Sequence, residues 1–407
     1  MKQYIFKTIL VRQNHPDFSD LPWKIPLDQW EFVCPRLDDL PRGLSHHTVV
    51  FVRYENTSYA IKELPPGTAQ IEYENLLRLE KLHLPAVTPI GHGEIQADLR
   101  HASILITRYL DHSIPYCSLI IGEHLTRYRQ FLLDAMAGLL VQLHLNGIFW
   151  GDCSLSNTLF RRDAGYLQAY LVDAETSQVF SKKTHPIYRH DDLVIMEENI
   201  SRDIGDLTSE TDVNEVIHKE TGVYIRMKYQ RLWEEITKDI LIHPGEYYRV
   251  QERIRALNAL GFSIGDIELI ETDRGDQLRL HVAVTDRNFH RNQLQKLTSL
   301  SAEEMQARQL MNEIQEVKTE LSRKENQSIS LLQAAQYWME NFYLPTNAKL
   351  NPYLDKKSDP AEMYCQVLEN KWYLSEKAHR DVGHQVSTDD FINNHLQNAP
   401  KYTADRG

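Results

Sequence analysis

Asp152, Asn157 and Asp173 have the residue types and spacing that phosphoryl transfer requires. The first two stand in the run Trp150-Gly151-Asp152-Cys153-Ser154-Leu155-Ser156-Asn157, and the third follows Leu171-Val172 and precedes Ala174-Glu175. A loop aspartate can orient an acceptor hydroxyl and take its proton. An asparagine shortly after it can hold a metal ion, and an aspartate at a strand end can hold the metal that bridges the phosphates. Each residue alone reads equally well as a turn former or a strand-end cap. It is the set that points to chemistry, and Glu175 stands close enough to assist.

Phosphoryl transfer depends on positioning and charge neutralisation more than on covalent chemistry, so a phosphate-holding cation must accompany the carboxylates. Lys62, in Tyr59-Ala60-Ile61-Lys62-Glu63, is placed to meet the α- and β-phosphates of ATP. Such a lysine is steadied by a carboxylate on the following helix. Glu72 is preferred, because Leu76 and Leu79 follow it at helical spacing and set it above the inward stripe; Glu74 is the alternative. A phosphate-covering turn is expected in Pro41-Arg42-Gly43-Leu44-Ser45-His46-His47-Thr48. There, backbone amides around Gly43 could cradle phosphate, with Ser45 or a histidine adding a donor. An ordinary polar turn is an equal reading of that stretch. The implied cofactors are ATP and Mg2+.

These residues need a scaffold, and the pattern supplies one. Residues 48–53 and 58–62 are β-branched and aromatic and flank Tyr54-Glu55-Asn56-Thr57, which predicts a hairpin carrying Lys62. Leu76, Leu79 and Leu82 predict a helix over 70–83, stopped before Pro85, and residues 103–109 read as a buried strand. Strand, strand, helix, strand is the order of a small nucleotide-binding lobe. A long helix over 126–146 follows, ended by Asn146-Gly147. Short strands are expected at 148–150, 158–161 and 169–172, with a turn at Arg162-Asp163-Ala164-Gly165. The three chemical residues therefore fall on strand ends and loops.

Beyond residue 190 the pattern is mostly helical, with amphipathic stretches at 212–241 and 246–260. One hairpin is expected there, with strands 267–271 and 278–284 around Asp273-Arg274-Gly275-Asp276. Helices are expected again from Asn292 to Leu396, interrupted near Leu344-Pro345 and Asn351-Pro352. The division that results is an irregular lead-in over 1–29, a two-lobed part over 30–264 with lobes at about 30–111 and 112–264, a mainly helical part over 265–397, and a disordered tail over 398–407. Two other motifs are set aside. His379-Arg380-Asp381 lies in a helical context, and Arg274-Gly275-Asp276 is best explained as a hairpin tip.

Composition narrows the rest. A net charge of −12 over 407 residues disfavours broad binding to nucleic acid or to an anionic bilayer. The four cysteines, Cys34, Cys117, Cys153 and Cys365, form no paired motif, which suits a reducing compartment and no zinc site. No apolar run approaches a transmembrane length. A cytoplasmic protein is expected, with membrane contact at most peripheral.

The run Gly151-Asp152-Cys153-Ser154-Leu155-Ser156-Asn157 resembles the loop of the protein-kinase-like superfamily in its atypical branches, the RIO-type kinases and the bacterial lipopolysaccharide kinases of the Kdo/WaaP type. Those branches are similar in lacking a lysine two residues after the loop aspartate. Asp173-Ala174-Glu175 resembles the D-x-E of aminoglycoside-type phosphotransferases, and the whole chain looks like a lipopolysaccharide-kinase-like part joined to a C-terminal domain of unknown function. The resemblance, carried by residues 40–200, implies an α+β fold. It has two kinase-like lobes followed by a mainly helical domain containing a β-hairpin. It also implies transfer of the γ-phosphate to a hydroxyl of a glycan, a small molecule or a protein Ser/Thr. Two departures stand out: Trp150 replaces the usual loop-bracing histidine, and the covering turn has one glycine. They keep open a second reading, a nucleotide-binding scaffold or regulatory protein without turnover.

Overall fold

The computed structural model describes residues 4–40, 47–97, 100–120, 125–181, 183–208, 216–238, 240–242, 266–271, 278–283, 289–354 and 358–396. Its chain divides into two compact units. Most of the first is residues 1–161 and 167–261; most of the second is 281–407, with the short segment 162–166.

The first unit begins with an antiparallel five-stranded sheet, β1 (Tyr4–Val11), β2 (Val49–Tyr54), β3 (Thr57–Leu64), β4 (Pro89–Ala97) and β5 (Arg100–Arg108). Their spatial order is β1-β4-β5-β3-β2. The expected β2–β3 hairpin is present, turning at Glu55, which takes a left-handed φ of 53°. The lead-in corrects the sequence reading. Residues 4–11 are not irregular but form an edge strand whose partner, β4, lies more than eighty residues away. The stretch after it is also built in: Phe18, Leu21, Trp23, Leu27 and Trp30 join Val50, Val52, Tyr59, Ile61, Ile90, Ile104 and Ile106 in one apolar core. The tryptophans and their apolar neighbours reach a core only once the sheet exists. β1 and β4 approach so closely that a Cβ on Gly91 would lie 2.5 Å from the carbonyl oxygen of Leu10. Only glycine fits there.

Helix α1 (Thr68–Lys81) packs on β4 and β5. Ala69, Glu72, Asn75, Leu76 and Leu79 make its buried face, the spacing of a single helical stripe. Side chains alternate along a strand. Tyr59 and Ile61 of β3 enter the core with the lead-in, so Lys62 emerges on the opposite side, and there it meets Glu72.

The second lobe starts with β6 (Ile114–Pro115), α2 (Tyr116–Ile120) and the long α3 (Leu125–Leu145). It continues through β7 (Ile148–Phe149), β8 (Thr158–Asp163), β9 (Tyr166–Leu171) and β10 (Gln178–Val179) to α4 (Pro186–Thr208) and α5 (Val216–Thr237). β6, β8 and β9 form one small sheet, and β7 pairs with β10. Met136, Leu139, Leu140 and Leu143 of α3 are fully buried, as are Met196 and Ile200 of α4. A three-stranded sheet of β11 (Ile240–Ile242), β12 (Asp266–Glu271) and β13 (Leu278–Ala283) places β13 in the centre, so the expected hairpin strands exist. The expected helix over 246–260, the Arg274-Gly275-Asp276 tip and the tail over 398–407 lie outside the described residues.

The second unit is helical: α6 (Phe289–Thr298), α7 (Glu304–Glu325), α8 (Leu331–Trp338), α9 (Leu344–Leu350), α10 (Pro360–Ala378) and α11 (Gly383–Phe391). Capping boxes open two of these helices, Glu303 with Gln306 and Ser330 with Gln333. Asp359 caps α10 ahead of Pro360. The break expected at Leu344-Pro345 is instead a wide π turn, Met339–Tyr343, before Pro345 enters the first turn of α9. Pro345 has no N–H to continue the helical ladder, and the wide turn falls just before it. His379, first of the set-aside H-R-D, is the left-handed residue that ends α10.

Candidate active site

A cleft of about 280 Å³ opens in the first unit. Val49, Ala60, Val87, Leu159 and Val172 give it an apolar lining suited to a flat heteroaromatic base. Arg108, the last residue of β5, with Tyr109 and Leu110 after it, forms one wall, and Lys62, Asn157 and Asp173 stand at its polar end. His47 and Thr48 also border it. Gly43 and Ser45, expected in the phosphate-covering turn, lie outside the described residues.

Lys62 Nζ donates to both carboxylate oxygens of Glu72, at 3.3 and 3.1 Å, and to Asp173 Oδ2 at 2.5 Å. Of the two candidate partners the structure selects Glu72. Glu74 faces outward and accepts a hydrogen bond from Gln70. The electrostatics are unbalanced. Burial penalises the Lys62 ammonium, yet Glu72 and Asp173 together raise its pKa. Burial, and then Asp173, push Glu72 up to about 8 despite the lysine. One ammonium is shared between two carboxyl groups, and the raised Glu72 pKa is the measure of that crowding.

Glu175 deepens the imbalance. Its pKa is raised by burial and then by Asp173, and its Oε2 is buried without a hydrogen-bond partner. Carboxylate oxygens of Glu72, Asp173 and Glu175 lie within 4.8 Å of one another. An orphaned buried oxygen beside two more carboxylates, with Asn157 close by, is a hard, all-oxygen donor set of the kind that suits Mg2+.

Asp152 sits in the loop between β7 and β8, and both its oxygens are held. Asn157 Nδ2 donates to Oδ2 and Asn199 Nδ2 to Oδ1, each at 2.8 Å. Because Asn157 uses its amide nitrogen on Asp152, its carbonyl oxygen is the atom left for a metal. Gly151 just before has a left-handed φ of 82°, and a Cβ there would press within 3.0 Å of the Thr176 carbonyl oxygen. A side chain would displace the loop.

The loop is held from below by residues that sequence reading missed. Asp192 of α4 accepts the backbone N–H groups of Trp150 and Gly151, both at 2.8 Å, and the Cys153 thiol. It is itself braced by His144 Nε2 at 2.9 Å, while His144 Nδ1 lies 2.8 Å from the Tyr229 hydroxyl. Burial keeps the His144 pKa below the ordinary histidine value, although Asp192 opposes it. Asp203 accepts the N–H groups of Leu155 and Ser156, at 2.7 and 3.1 Å. A helical register of carboxylates behind the loop was visible in the sequence, but nothing there told which loop it would face.

Trp150 does not leave the loop unbraced. Its indole is fully buried, and Nε1 donates to the backbone carbonyl of Asp173 at 3.1 Å. Thr176 and Ser177 hydroxyls donate to the Trp150 carbonyl in return. The two halves of the site are thereby tied across the loop.

The site thus combines a lysine–glutamate pair between a sheet strand and its following helix with a loop aspartate, an asparagine and a strand-end aspartate. Residues 53–219 match the model of the lipopolysaccharide kinase (Kdo/WaaP) family, and residues 231–396 match a domain of unknown function, DUF4032. Among solved structures, WaaP in complex with acyl carrier protein is 15% identical, with a TM-score of 0.35 over 62% of this chain and 99% of that one. An aminoglycoside-3'-phosphotransferase of type VIII is 14% identical, with a TM-score of 0.29 over 47% of this chain and 91% of that one. Comparison with curated proteins gave no match. Among the described residues, no helix is long and apolar enough to cross a membrane.

Proposed function

We propose that this chain is an ATP- and Mg2+-dependent phosphotransferase that moves the γ-phosphate to a hydroxyl acceptor, either a glycan or small molecule or a protein Ser/Thr. The observation that carries this reading is the meeting of Lys62, Glu72 and Asp173 at the polar end of an apolar cleft, with Asp152 and Asn157 in the neighbouring loop.

In this reading Lys62, braced by Glu72, holds the α- and β-phosphates, while the apolar lining takes the base. Asn157 through its carbonyl oxygen, Asp173 and Glu175 hold Mg2+; the bound ion would supply charge neutralisation along the phosphates. Asp152 orients the acceptor hydroxyl and takes its proton as the new P–O bond forms and ADP leaves. The crowding of carboxylates supports this assignment, because Glu175 is half-buried beside Asp173 and its Oε2 is enclosed without a hydrogen-bond partner.

The test is transfer of label from γ-labelled ATP into components of a cell extract, comparing wild type with Asp173→Ala. Labelling by wild type and a loss of at least about 1,000-fold in the variant are expected, the scale of an essential electrostatic group. Equal labelling by both proteins, or no thermal shift of wild type with Mg-ATP, would sink the reading. Incorporation from α-labelled ATP would instead mark nucleotidyl transfer.

A further inference from the structure

Helix α4 presents three polar residues to the loop that carries Asp152, and they are not equivalent. Asp192 and Asp203 bond the backbone at either end of the loop. Asn199, between them on the same helical face, bonds the carboxylate itself. We infer that Asn199 is a positioning residue for the transfer step, fixing the plane of the Asp152 carboxylate toward the acceptor hydroxyl.

A carboxylate held through one oxygen can swing about its own bonds, and misplacement by about 1 Å can cost on the order of 100-fold in rate. Asp152 is held through both oxygens by amides from two places, Asn157 at the end of its own loop and Asn199 on α4. The orientation of the Asn199 amide is itself fixed, since Nδ2 also donates to the Cys153 carbonyl oxygen at 3.2 Å. Asn199 is buried, so neither bond competes strongly with solvent. The loop has no lysine two residues after Asp152. Ser154 occupies that place, and its hydroxyl instead accepts the Asn157 N–H and lies 3.0 Å from the Ser156 hydroxyl. The second tether on Asp152 therefore comes from α4. Chemically it is a neutral amide, which orients a carboxylate without the full positive charge that would make it a weaker base.

This role rests on the phosphotransferase reading, whereas the contact does not, and the experiment separates the two. Mg-ATP turnover by the full chain is measured across pH for wild type, Asn199→Ala and Asn199→Asp, alongside a crystal structure of the alanine variant. Asn199→Ala is expected to lower kcat about 10- to 100-fold while leaving the KM for ATP within about twofold. Asn199→Asp keeps the side-chain size but sets a like charge on Asp152, so the acid limb of its pH–rate profile moves to higher pH. In the alanine structure the Asp152 carboxylate leaves its present rotamer. Unchanged kcat and an unchanged pH profile in both variants overturn the inference, as does an Asp152 rotamer that stays fixed without the amide. If the alanine variant fails to fold, Asn199→Ser takes its place, with the same fall in kcat at unchanged KM expected and an unchanged kcat overturning the inference. A wild type that turns over no ATP overturns the phosphotransferase reading and the role of Asn199 with it, while the crystal comparison still reports on the contact.

Discussion

Two carboxylate sites, Glu313 in the helical unit and the Glu72, Asp173 and Glu175 cluster in the first, are held on different terms. In the helical unit Glu313 is nearly enclosed, and both its oxygens are in use. Trp338 Nε1 donates to Oε2 at 2.6 Å, the Tyr364 hydroxyl donates to the same oxygen at 2.9 Å, and His384 Nε2 bonds Oε1. In the first unit Glu72, Asp173 and Glu175 share one lysine, and Glu175 Oε2 has no hydrogen-bond partner. A buried charge with every partner supplied by its own unit specifies packing; a buried charge left in deficit beside a cleft is arranged for something that arrives.

The sharpest way to break this comparison is Glu313→Ala. It strands the donors of Trp338, Tyr364 and His384 in an aromatic core, and a loss of roughly 3–5 kcal/mol in unfolding free energy by denaturant titration is expected. A loss below about 1 kcal/mol would mean that the saturated carboxylate is not what holds that core.

On the side in deficit, Glu175→Gln is expected to raise the Mg2+ concentration needed for nucleotide-induced thermal stabilisation about 10-fold, with little change in the melting temperature of the free protein. The pH dependence has a definite sign. Because the Glu175 pKa is raised, protons compete for it above the ordinary carboxylate range. Wild-type Mg2+ affinity should therefore weaken as pH falls, and the glutamine variant should show a shallower dependence. Equal Mg2+ requirements at every pH would remove Glu175 from the ligand set.

The smallest effect sharpens the comparison from within the helical unit. Asp163, on the segment 162–166 counted with it, is fully buried, and its Oδ1 accepts the Gln306 N–H at 2.8 Å. Its pKa is raised well above the usual value by burial and then by Glu303. An acid with a raised folded pKa binds more protons folded than unfolded, so its contribution favours folding more as pH falls through that window. Asp163→Asn keeps an acceptor and removes the charge. It should therefore stabilise by about 1 kcal/mol at pH 8, the gain shrinking toward pH 4, where the folded wild-type carboxyl is protonated and no longer carries a buried charge. A variant less stable than wild type at pH 8 would show that the ionised carboxylate is needed there.

How much was legible in advance differs by residue. Lys62 could be placed because it ends the run Tyr59-Ala60-Ile61-Lys62 on the second strand of a predicted hairpin, the setting of the V-A-I-K lysine of kinases. Glu72 could be preferred over Glu74 because helical periodicity puts it with Leu76 and Leu79. The strand at residues 4–11 was not readable. Its pairing is non-local, and the aromatics after it lie among polar and proline residues without a period. Asn199 was equally hidden, since an asparagine within an amphipathic helix looks like any solvated polar residue until the loop it faces is known.

Trp150 separates the two kinds of information most clearly. The sequence by itself determined that a donor-only indole stands where the resemblance calls for histidine, and that Asp152, Asn157 and Asp173 have a phosphoryl-transfer spacing. Local propensity and periodicity are short-range properties, and they sufficed for that and for the elements carrying it. Only the tertiary structure decided that the indole N–H reaches the Asp173 carbonyl, that α4 supplies the acids and the amide under the loop, and that one Glu175 oxygen is enclosed without a partner. Those facts depend on which distant backbone and side-chain groups are brought within about 3 Å of one another, a property of chain packing that no local pattern encodes.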